Sequence, residues 1–330
     1  MAASLQLEFL DLRHFGAHDL RALLDEESEL WRDRLHWDYR SSANLLLQYV
    51  DSHLLVGYVA MEQGRVCGYT FCVQERGKAI VGDVFATRSP EAITPFPVVE
   101  KKLLNHLLET LLHTPGIERM EAQLLLHSHG DHRVSFESAG FKVFPRLFLE
   151  LDLSVATDEI EVPASGQPIL NGALQMRRWR DTDFEAATHL IAAAYRGHID
   201  SEINDQYRSA VGASRFLHNI VRFPGCGQFE TEASWVVVEP RTGELQAIML
   251  CSRISPQVGH VTQVCVMPSL RRHHVGQQLL EVGAQCLRLL GCDSVTLTVT
   301  EANHEAVELY QKMGYRTRHG FDAMLWTARS

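Results

Sequence analysis

Residues 271–277 (RRHHVGQ) have the composition of an anion-binding loop. They follow residues 263–266 (QVCV), whose alternation predicts a strand, and they open a long segment with helical periodicity. The first N–H groups of a helix have no partner within the helix, and the helix dipole adds partial positive charge there. Gly276 would let the backbone come close to a bound group. A strand that runs into a cationic loop at a helix N-terminus predicts a phosphate or pyrophosphate site.

Together with a second set of residues further along the chain, this loop resembles a known pair of motifs. The loop reads Arg271-x-x-His274-x-Gly276, which resembles the R-x-x-G-x-G/A motif of the GCN5-related N-acetyltransferase (GNAT) superfamily. His274 stands where that family usually has glycine. The second motif, N-x-x-A-x-x-L-Y-x-x-x-G-F/Y, is complete, and its residues are Asn303, Ala306, Leu309, Tyr310, Gly314 and Tyr315.

The resemblance implies a mixed β-sheet whose strands splay apart at a bulge, with acetyl-CoA lying in the opening. Strand backbone would pair with the pantetheine arm, and the N–H groups of residues 272–277 would hold the pyrophosphate. Asn303 would bond the pantetheine or thioester region, and Tyr310 would lie beside the sulfur. No metal is expected to take part. The implied acetyl-CoA-binding residues are Val264, Cys265, Val266, Arg271, Arg272, His273, His274, Val275, Gly276, Gln277, Asn303 and Tyr310.

The implied reaction is the transfer of an acetyl group to the primary amine of a small molecule or a peptide. The amine attacks the thioester carbonyl directly, a backbone N–H stabilises the oxyanion, and the thiolate leaves. A phenol with an ordinary pKa of about 10 can protonate a departing thiolate whose ordinary pKa is about 8.5. Tyr310 is therefore the predicted acid.

The sequence does not single out the base that would deprotonate the amine. His260 lies on the predicted strand that leads into the bulge, and it is the first candidate because histidine exchanges protons near neutral pH. Glu230 and Glu232 are weaker candidates, and a chain of water molecules would leave no trace in the sequence. The predicted catalytic residues are Tyr310, Asn303 and His260.

The chain also repeats itself. Three turn glycines with similar neighbours recur in the same order in both halves, and they pair as Gly64 with Gly243, Gly116 with Gly291, and Gly140 with Gly314. Such long-period similarity indicates duplicated structural units. We expect an α+β protein (an α/β mixed sheet) built from two tandem GNAT-like domains, each a splayed mixed sheet flanked by helices, rather than one large sheet.

A turn-rich polar segment separates the two copies. Residues 154–172 contain Pro163, Ser165, Gly166 and Pro168, which are residue types that favour turns and loops. The predicted domains are residues 1–153 and residues 173–330, with 154–172 as the linker. In each half, a segment with apolar residues at helical spacing follows the predicted strands. Its residues are Val99, Leu103, Leu107 and Leu111 in the first half and Val275, Leu279, Val282, Cys286 and Leu290 in the second.

The first copy lacks the functional residues of the second. Its equivalent loop, residues 87–97 (TRSPEAITPFP), contains three prolines and no glycine, so it has few N–H donors. Phe136 takes the place of Tyr310, so no phenol is available. We expect a degenerate copy that keeps the fold and either shapes the acceptor pocket or buries an interface, while the catalytic site lies in the second copy.

A histidine-rich segment in the first copy supports a competing interpretation. Residues 127–132 (HSHGDH) resemble the H-x-H-x-D-H zinc motif of the metallo-β-lactamase superfamily, which implies a zinc metallohydrolase using His127, His129, Asp131 and His132. The segment falls in the strand-to-helix loop of the repeat, however, and an Arg-Val-Ser run follows where that family usually has glycines. A zinc ion confined to the degenerate copy and a solvated histidine-rich loop are the other interpretations.

Composition limits the remaining function classes. The 330 residues are 45% hydrophobic and 22% charged, as in a globular chain of about two domains. A net charge of −10 argues against nucleic-acid binding, and the lack of a run of about 18 apolar residues argues against a membrane partner. Seven cysteines form no C-x-x-C pair. We expect a cytoplasmic monomer or homodimer; a non-catalytic CoA-binding or interaction protein is the remaining alternative.

Overall fold

The computed structural model divides into two compact units. Unit 1 comprises Met1–Arg146 and Gly320–Ser330, and unit 2 comprises Leu147–His319. The structure describes residues 7–154, 162, 167–169, 172–222 and 227–328. Most of the predicted linker, residues 154–172, lies outside the described residues.

Unit 1 is built on strands that pair in sequence order. The pairs β1–β2, β2–β3 and β3–β4 are antiparallel, and β4 pairs with β5 in parallel. A short 3-10 turn follows β1. The elements are β1 (Glu8–Asp11), α1 (Ala17–Leu35), α2 (Arg40–Asp51), β2 (Val56–Glu62), β3 (Arg65–Glu75), β4 (Lys78–Ala86), α3 (Phe96–Leu112), β5 (Arg119–Gln123), α4 (Arg133–Ser138) and β6 (Lys142–Asp152).

Unit 2 repeats this order with longer helical connections. The pairs β7–β8, β8–β10, β10–β11 and β11–β12 are antiparallel, β12 pairs with β13 in parallel, and β9 pairs with β11. The elements are β7 (Gln167–Ile169), β8 (Leu174–Arg178), α5 (Phe184–Ala194), α6 (Ile199–Ile203), α7 (Ala210–Arg222), β9 (Gln228–Phe229), β10 (Trp235–Val238), β11 (Leu245–Ser255), β12 (Val258–Val266), α8 (Val275–Leu289), β13 (Ser294–Thr300), α9 (His304–Lys312) and β14 (Arg316–Thr327).

The compact units differ from the predicted division into residues 1–153 and 173–330. The first boundary falls inside β6, after Arg146, and a second boundary falls inside β14, after His319. The end of β14 pairs antiparallel with β5 and so completes the sheet of unit 1. Periodicity identifies a strand but not the strand with which it pairs. The predicted boundaries therefore follow the order of the elements along the chain.

The sheet of unit 2 opens at a β-bulge. The parallel ladder between β12 and β13 ends at the Val261–Leu297 pair. The next residue of β12, Thr262, is skipped in the register with β11, where Leu250 pairs with Gln263. A skipped residue bends the strand, so β12 leaves β13 at this point while it stays paired with β11. The predicted splayed sheet is confirmed.

Unit 1 has the same irregularity at the equivalent place. Its parallel ladder ends at the Val81–Ala122 pair, Gly82 is skipped, and Asp83 pairs with Phe71 of β3. Both units therefore carry the bulge that opens the sheet, which confirms the predicted duplication.

Helices cover the faces of each sheet. In unit 2, α8 packs on one apolar cluster, while α5 and α7 pack on another. The predicted stripes of α3 and α8 are buried, apart from the partly buried Leu290. The six described cysteines are free and buried. Within the described ranges, no helix is both long and apolar enough to span a bilayer.

Candidate functional site

The N-terminus of α8 presents a row of unpaired backbone donors. Within the described part of the chain, no protein group accepts a hydrogen bond from the N–H groups of residues 272–277. The first turn of α8 carries no acidic side chain, and His274 at its N-cap makes no side-chain capping bond. Unpaired N–H groups at a helix N-terminus attract an anion. This geometry supports the predicted pyrophosphate site.

Two residues of this loop have left-handed backbone conformations. The φ angle is 66° at Arg272 and 59° at His274. Left-handed residues turn neighbouring N–H groups toward one side, which is how backbone nests bind anions. Glycine adopts this conformation freely, whereas other residues lose about 1–2 kcal/mol. The conformation explains why glycine suits position 274, and the histidine here adopts it regardless.

The arginine side chains of this loop already contact other groups of the protein. Arg271 donates to the carbonyl oxygen of Ala194 at the end of α5, at 2.8 Å. Arg272 forms an exposed ion pair with Glu305, at 2.9 Å. His273 is exposed. The donors that this loop offers without another partner are therefore its backbone N–H groups.

The free edge of β12 presents two residues beyond the bulge. The Met267 N–H donates to the Gln246 carbonyl, so these residues form a hydrogen-bonded pair of the antiparallel ladder. Residue pairs in such a ladder are alternately hydrogen-bonded and non-hydrogen-bonded. The pairs that include Val264 and Val266 are non-hydrogen-bonded, so the N–H and C=O groups of these two residues point away from β11. They are therefore directed toward the opening between β12 and β13. The Tyr195 hydroxyl lies 3.4 Å from the Val264 carbonyl oxygen.

Cys265 does not share this orientation. The same alternation makes it a hydrogen-bonded partner of Ile248, so its backbone groups are occupied by β11. Its side chain packs among residues of α5 and α7, and burial raises the pKa of the thiol to about 12. The geometry therefore offers a ligand the backbone groups of Val264 and Val266 but not those of Cys265.

Tyr310 lies on α9 with its ring almost fully buried. Only 7% of the residue is exposed, and the ring centroid is 5.7 Å from that of Tyr315. Among the described residues, nothing forms a hydrogen bond with the Tyr310 hydroxyl. Burial and then the charge of Asp200 raise the pKa of this phenol above its ordinary value. The group is held in its protonated form, as a proton donor requires.

Asn303 begins α9 and connects it to the short helix α6. Its Oδ1 accepts from the Ala306 N–H at 3.4 Å, which makes it the N-cap of α9. Its Nδ2 lies 3.3 Å from His198 Nε2. The other ring nitrogen, His198 Nδ1, accepts from the Asp200 N–H at 3.2 Å, and the Asp200 carboxylate accepts from the Thr300 hydroxyl. These contacts join the ends of β13 and α9 to α6.

His198 is a functional candidate that sequence reasoning missed. Its side chain is 23% exposed, and burial lowers the pKa of its imidazole although Asp200 opposes the shift. The ring packs edge-on against Tyr195, with centroids 5.3 Å apart. No sequence motif marks the residue, because it lies 105 positions before Asn303 in the connection after α5. A neutral imidazole beside Asn303 can accept a proton.

Comparison with known proteins identifies the fold to which these features belong. Residues 184–315 match the family model described as Acetyltransferase (GNAT) family. This part of the chain is a GNAT domain. A search of curated protein sequences found no match.

Solved structures show the GNAT fold along both units. A GCN5-related N-acetyltransferase from Sphaerobacter thermophilus has a TM-score of 0.64 at 15% identity, with 98% of this chain and 96% of that chain covered. A tandem GNAT protein from the clavulanic acid biosynthesis pathway has a TM-score of 0.60 at 16% identity, with 98% and 99% covered.

A third structure is part of a larger protein. It is the glucosamine N-acetyltransferase region of a fungal multi-domain GH3 β-N-acetylglucosaminidase, with a TM-score of 0.62 at 16% identity. The alignment covers 98% of this chain and 38% of that chain. Identities this low establish a shared fold, so the predicted tandem GNAT architecture is confirmed at that level.

In the GNAT domain, His260 lies in the closed part of the sheet. It belongs to the paired segment of β12, before the bulge, and is 6% exposed. Its Nδ1 is 2.8 Å from the Thr296 hydroxyl, and its ring stacks on Phe148. Burial lowers the pKa of the imidazole to about 4. The structure therefore does not support His260 as the base, because its proton affinity is low and it precedes the opening.

The two weaker candidates for the base are held in ion pairs. Glu230 lies 3.0 Å from the Arg253 guanidinium, and Glu232 lies 2.6 Å from the Arg178 guanidinium. With both carboxylates in ion pairs, the remaining candidate for the base is His198, which contacts Asn303.

A cavity lies beside the helical connection of the GNAT domain. Its volume is about 390 Å³, and its wall includes Tyr195 and Tyr207, which stack with centroids 4.2 Å apart. Gln263 of β12 donates to the Tyr195 hydroxyl at 3.1 Å, so this wall is attached to the strand that opens. Arg196 and Arg208 also line the cavity. Among the described residues, neither forms an ion pair.

In unit 1, protein groups contact both positions that correspond to the candidate site of the GNAT domain. The Ile93 and Thr94 N–H groups donate to the Glu62 carboxylate at 3.0 and 3.1 Å, so a side chain fills the anion position. At the strand edge, the Val84 carbonyl accepts from His127 Nε2 at 2.8 Å, whereas the corresponding Val264 carbonyl accepts a longer bond, at 3.4 Å, from the Tyr195 hydroxyl. This agrees with the prediction that the first copy is degenerate.

The residues of the H-x-H-x-D-H segment do not converge on one point. His129 is directed toward Asp322, at 3.0 Å, and the Asp131 carboxylate accepts from the Ser128 N–H. Only His127 and His132 meet, with ring nitrogens 3.1 Å apart. The predicted four-residue metallohydrolase site is therefore wrong. A solvated loop is also wrong for these two histidines, because both are buried.

Gly276 offers a test of how the loop tolerates a side chain. A Cβ added there would lie 3.5 Å from Val266 Cγ2, an ordinary contact. We expect Gly276→Ala to stabilise the fold by up to about 1 kcal/mol, because alanine favours helix, and to leave acetyl-CoA affinity within about threefold. Chemical denaturation and calorimetric titration measure the two quantities.

Gly283 on the same helix is the matched comparison. A Cβ there would lie 2.1 Å from Met249 Cε, so Gly283→Ala overpacks the core and is expected to destabilise the protein by about 1–3 kcal/mol. If Gly276→Ala destabilised the protein equally, the loop would need glycine for a reason that its packing does not show.

Proposed function

We propose that the protein is an acetyl-CoA-dependent N-acetyltransferase whose single site lies in the GNAT domain. The observation that carries the proposal is the row of unpaired N–H groups at residues 272–277, next to the free edge of β12. A pyrophosphate fits the donors at the helix N-terminus, and an extended amide chain fits the strand edge. Val264 and Val266 would hold the pantetheine arm through their backbone groups.

Acetyl-CoA supplies an acetyl thioester that a primary amine attacks directly. Tyr310 donates the proton that the departing thiolate needs, because its phenol is protonated and makes no other described hydrogen bond. Asn303 keeps α9 in place by capping its first turn, and its amide group contacts the His198 ring.

His198, rather than the predicted His260, is the proposed base. Its imidazole is neutral at pH 7 because burial lowers its pKa, and its side chain is partly exposed. The neutral ring has one lone pair, on Nδ1, which accepts from the Asp200 N–H, so an incoming ammonium group must replace that bond to transfer its proton.

The acceptor enters through the cavity beside Tyr195 and Tyr207. A volume of about 390 Å³ suits a small molecule better than a folded protein. Arg196 and Arg208 favour an amine that also carries a carboxylate or phosphate, since neither is paired with a described acid.

Acetyl-CoA binding and thiol release test the proposal. We expect calorimetry to give one acetyl-CoA per chain, since Glu62 occupies the equivalent anion position of unit 1. A panel of amines, with and without an acidic group, is then assayed for release of the CoA thiol. Absence of acetyl-CoA binding would refute the proposal. Binding with no turnover of any amine would instead favour the non-catalytic CoA-binding alternative.

A further inference from the structure

Three potential metal ligands meet inside unit 1. Glu100 on α3 and His127 and His132 around the loop before α4 are each at least nine-tenths buried. Their atoms Glu100 Oε2, His127 Nδ1 and His132 Nε2 lie within 4.8 Å of one another. The proposed transferase site uses none of the three, and the histidine-rich motif did not point to Glu100.

Neighbouring groups fix the orientation of two of the three ligand side chains, His127 and Glu100. His127 Nε2 lies 2.8 Å from the Val84 carbonyl oxygen, which can only accept, so this nitrogen carries the proton and Nδ1 presents its lone pair. Glu100 Oε1 accepts from the Ala86 N–H at 3.2 Å and pairs with Arg88 at 2.9 Å. These bonds leave Oε2 to face the histidines. Histidine and carboxylate ligands of metals are held by such outer contacts.

The spacing of the three atoms matches the size of a zinc ion. The separations are 3.1 Å between the two nitrogens, 3.7 Å from His132 to Glu100 and 3.9 Å from His127 to Glu100. A point equidistant from the three atoms lies about 2.1 Å from each, and zinc bonds to nitrogen and oxygen are about 2.0–2.2 Å long.

We propose that Glu100, His127 and His132 bind one Zn²⁺ ion through these three atoms, with water as the fourth ligand. Two imidazoles and one carboxylate form a donor set that suits zinc. An imidazole binds a metal in its neutral form, and His127 already has its ring proton on Nε2, away from the proposed ion. In the metal-bound form the His132 proton sits on Nδ1.

Charge and position indicate a structural role for this ion. Glu100 is one carboxylate near the site, and Asp83 is another, with Oδ1 3.7 Å from His127 Nε2. These two acids offset the charge that Arg88 and the metal bring together. The ion would tie α3 to the loop that leads into α4, in the region where the sheet of unit 1 opens.

Metal analysis of the full-length protein tests the proposal directly. We expect protein produced without a histidine tag to contain about one zinc per chain by mass spectrometry, because a site of this type holds one ion. Removing the metal with EDTA is expected to lower the Tm, and adding Zn²⁺ to restore it. Co²⁺ added to the metal-free protein is expected to give the visible absorption bands of tetrahedral cobalt. Protein that neither contains zinc nor retains added Zn²⁺ or Co²⁺ would overturn the proposal.

Variants test the identity of the ligands. His132→Ala is expected to lose the zinc, and Glu100→Gln, which keeps the side-chain volume, to weaken zinc binding by about 10–100-fold. His129→Ala is the matched control, because His129 belongs to the same loop but faces Asp322. Loss of zinc from His129→Ala, or full retention by both ligand variants, would contradict this ligand set. The result is independent of acetyl-CoA binding.

Discussion

Replacing Tyr310 by phenylalanine is expected to lower kcat by about 100-fold or more while acetyl-CoA affinity changes little. The phenylalanine ring fills the same buried space on α9, so packing is preserved. What is lost is a hydroxyl that bonds no described residue and that burial keeps protonated. Steady-state kinetics and calorimetry with acetyl-CoA separate the chemical step from binding.

Tyr315→Phe is the matched control for this substitution. The Tyr315 ring lies 5.7 Å from that of Tyr310, and its hydroxyl is buried with no hydrogen-bond partner among the described residues. Removing an unsatisfied buried hydroxyl is expected to stabilise the protein by about 1 kcal/mol and to leave kcat unchanged. Equal losses of activity in both variants would show that Tyr310 acts through packing rather than as a proton donor.

The sequence predicted the parts of the site that are local. A helical stripe identifies the buried face of α8, and alternation identifies β12, because both patterns depend only on neighbours in the chain. The donors at residues 272–277 follow from the start of a helix, which is also a local event. Asn303 caps the short helix that contains Tyr310, so the spacing of the two residues in their motif already predicts their relative positions.

The parts that the sequence missed are contacts between distant segments. Arg271 lies in a cationic loop, yet its guanidinium caps the end of α5, 77 positions earlier. His260 sits on the expected strand, but the register of β12 with β13 places it before the bulge. Glu100 meets His127 across the core of unit 1, although no spacing rule joins a helix to a later loop. Register and pairing depend on the whole fold.

Replacing His198 by asparagine is expected to lower kcat/KM at neutral pH by about 100-fold. Asparagine is a favourable N-cap and can retain the bond from the Asp200 N–H that begins α6, so the local fold is kept. The imidazole that would take the proton from the amine is removed. His189→Asn is the control, because this histidine lies on α5 and the proposed site does not use it.

The pH dependence separates a base from a structural histidine at position 198. Burial holds the pKa of His198 below its ordinary value of 6.5, so the wild-type rate is expected to fall only as pH drops below 6.5, where the imidazole gains a proton. Without the base, the amine must arrive already deprotonated. The rate of His198→Asn is then expected to rise with pH toward the ordinary amine pKa of about 10. A variant profile parallel to that of the wild type would refute the assignment, and a matching loss in a stable His260→Gln protein would return the role to His260.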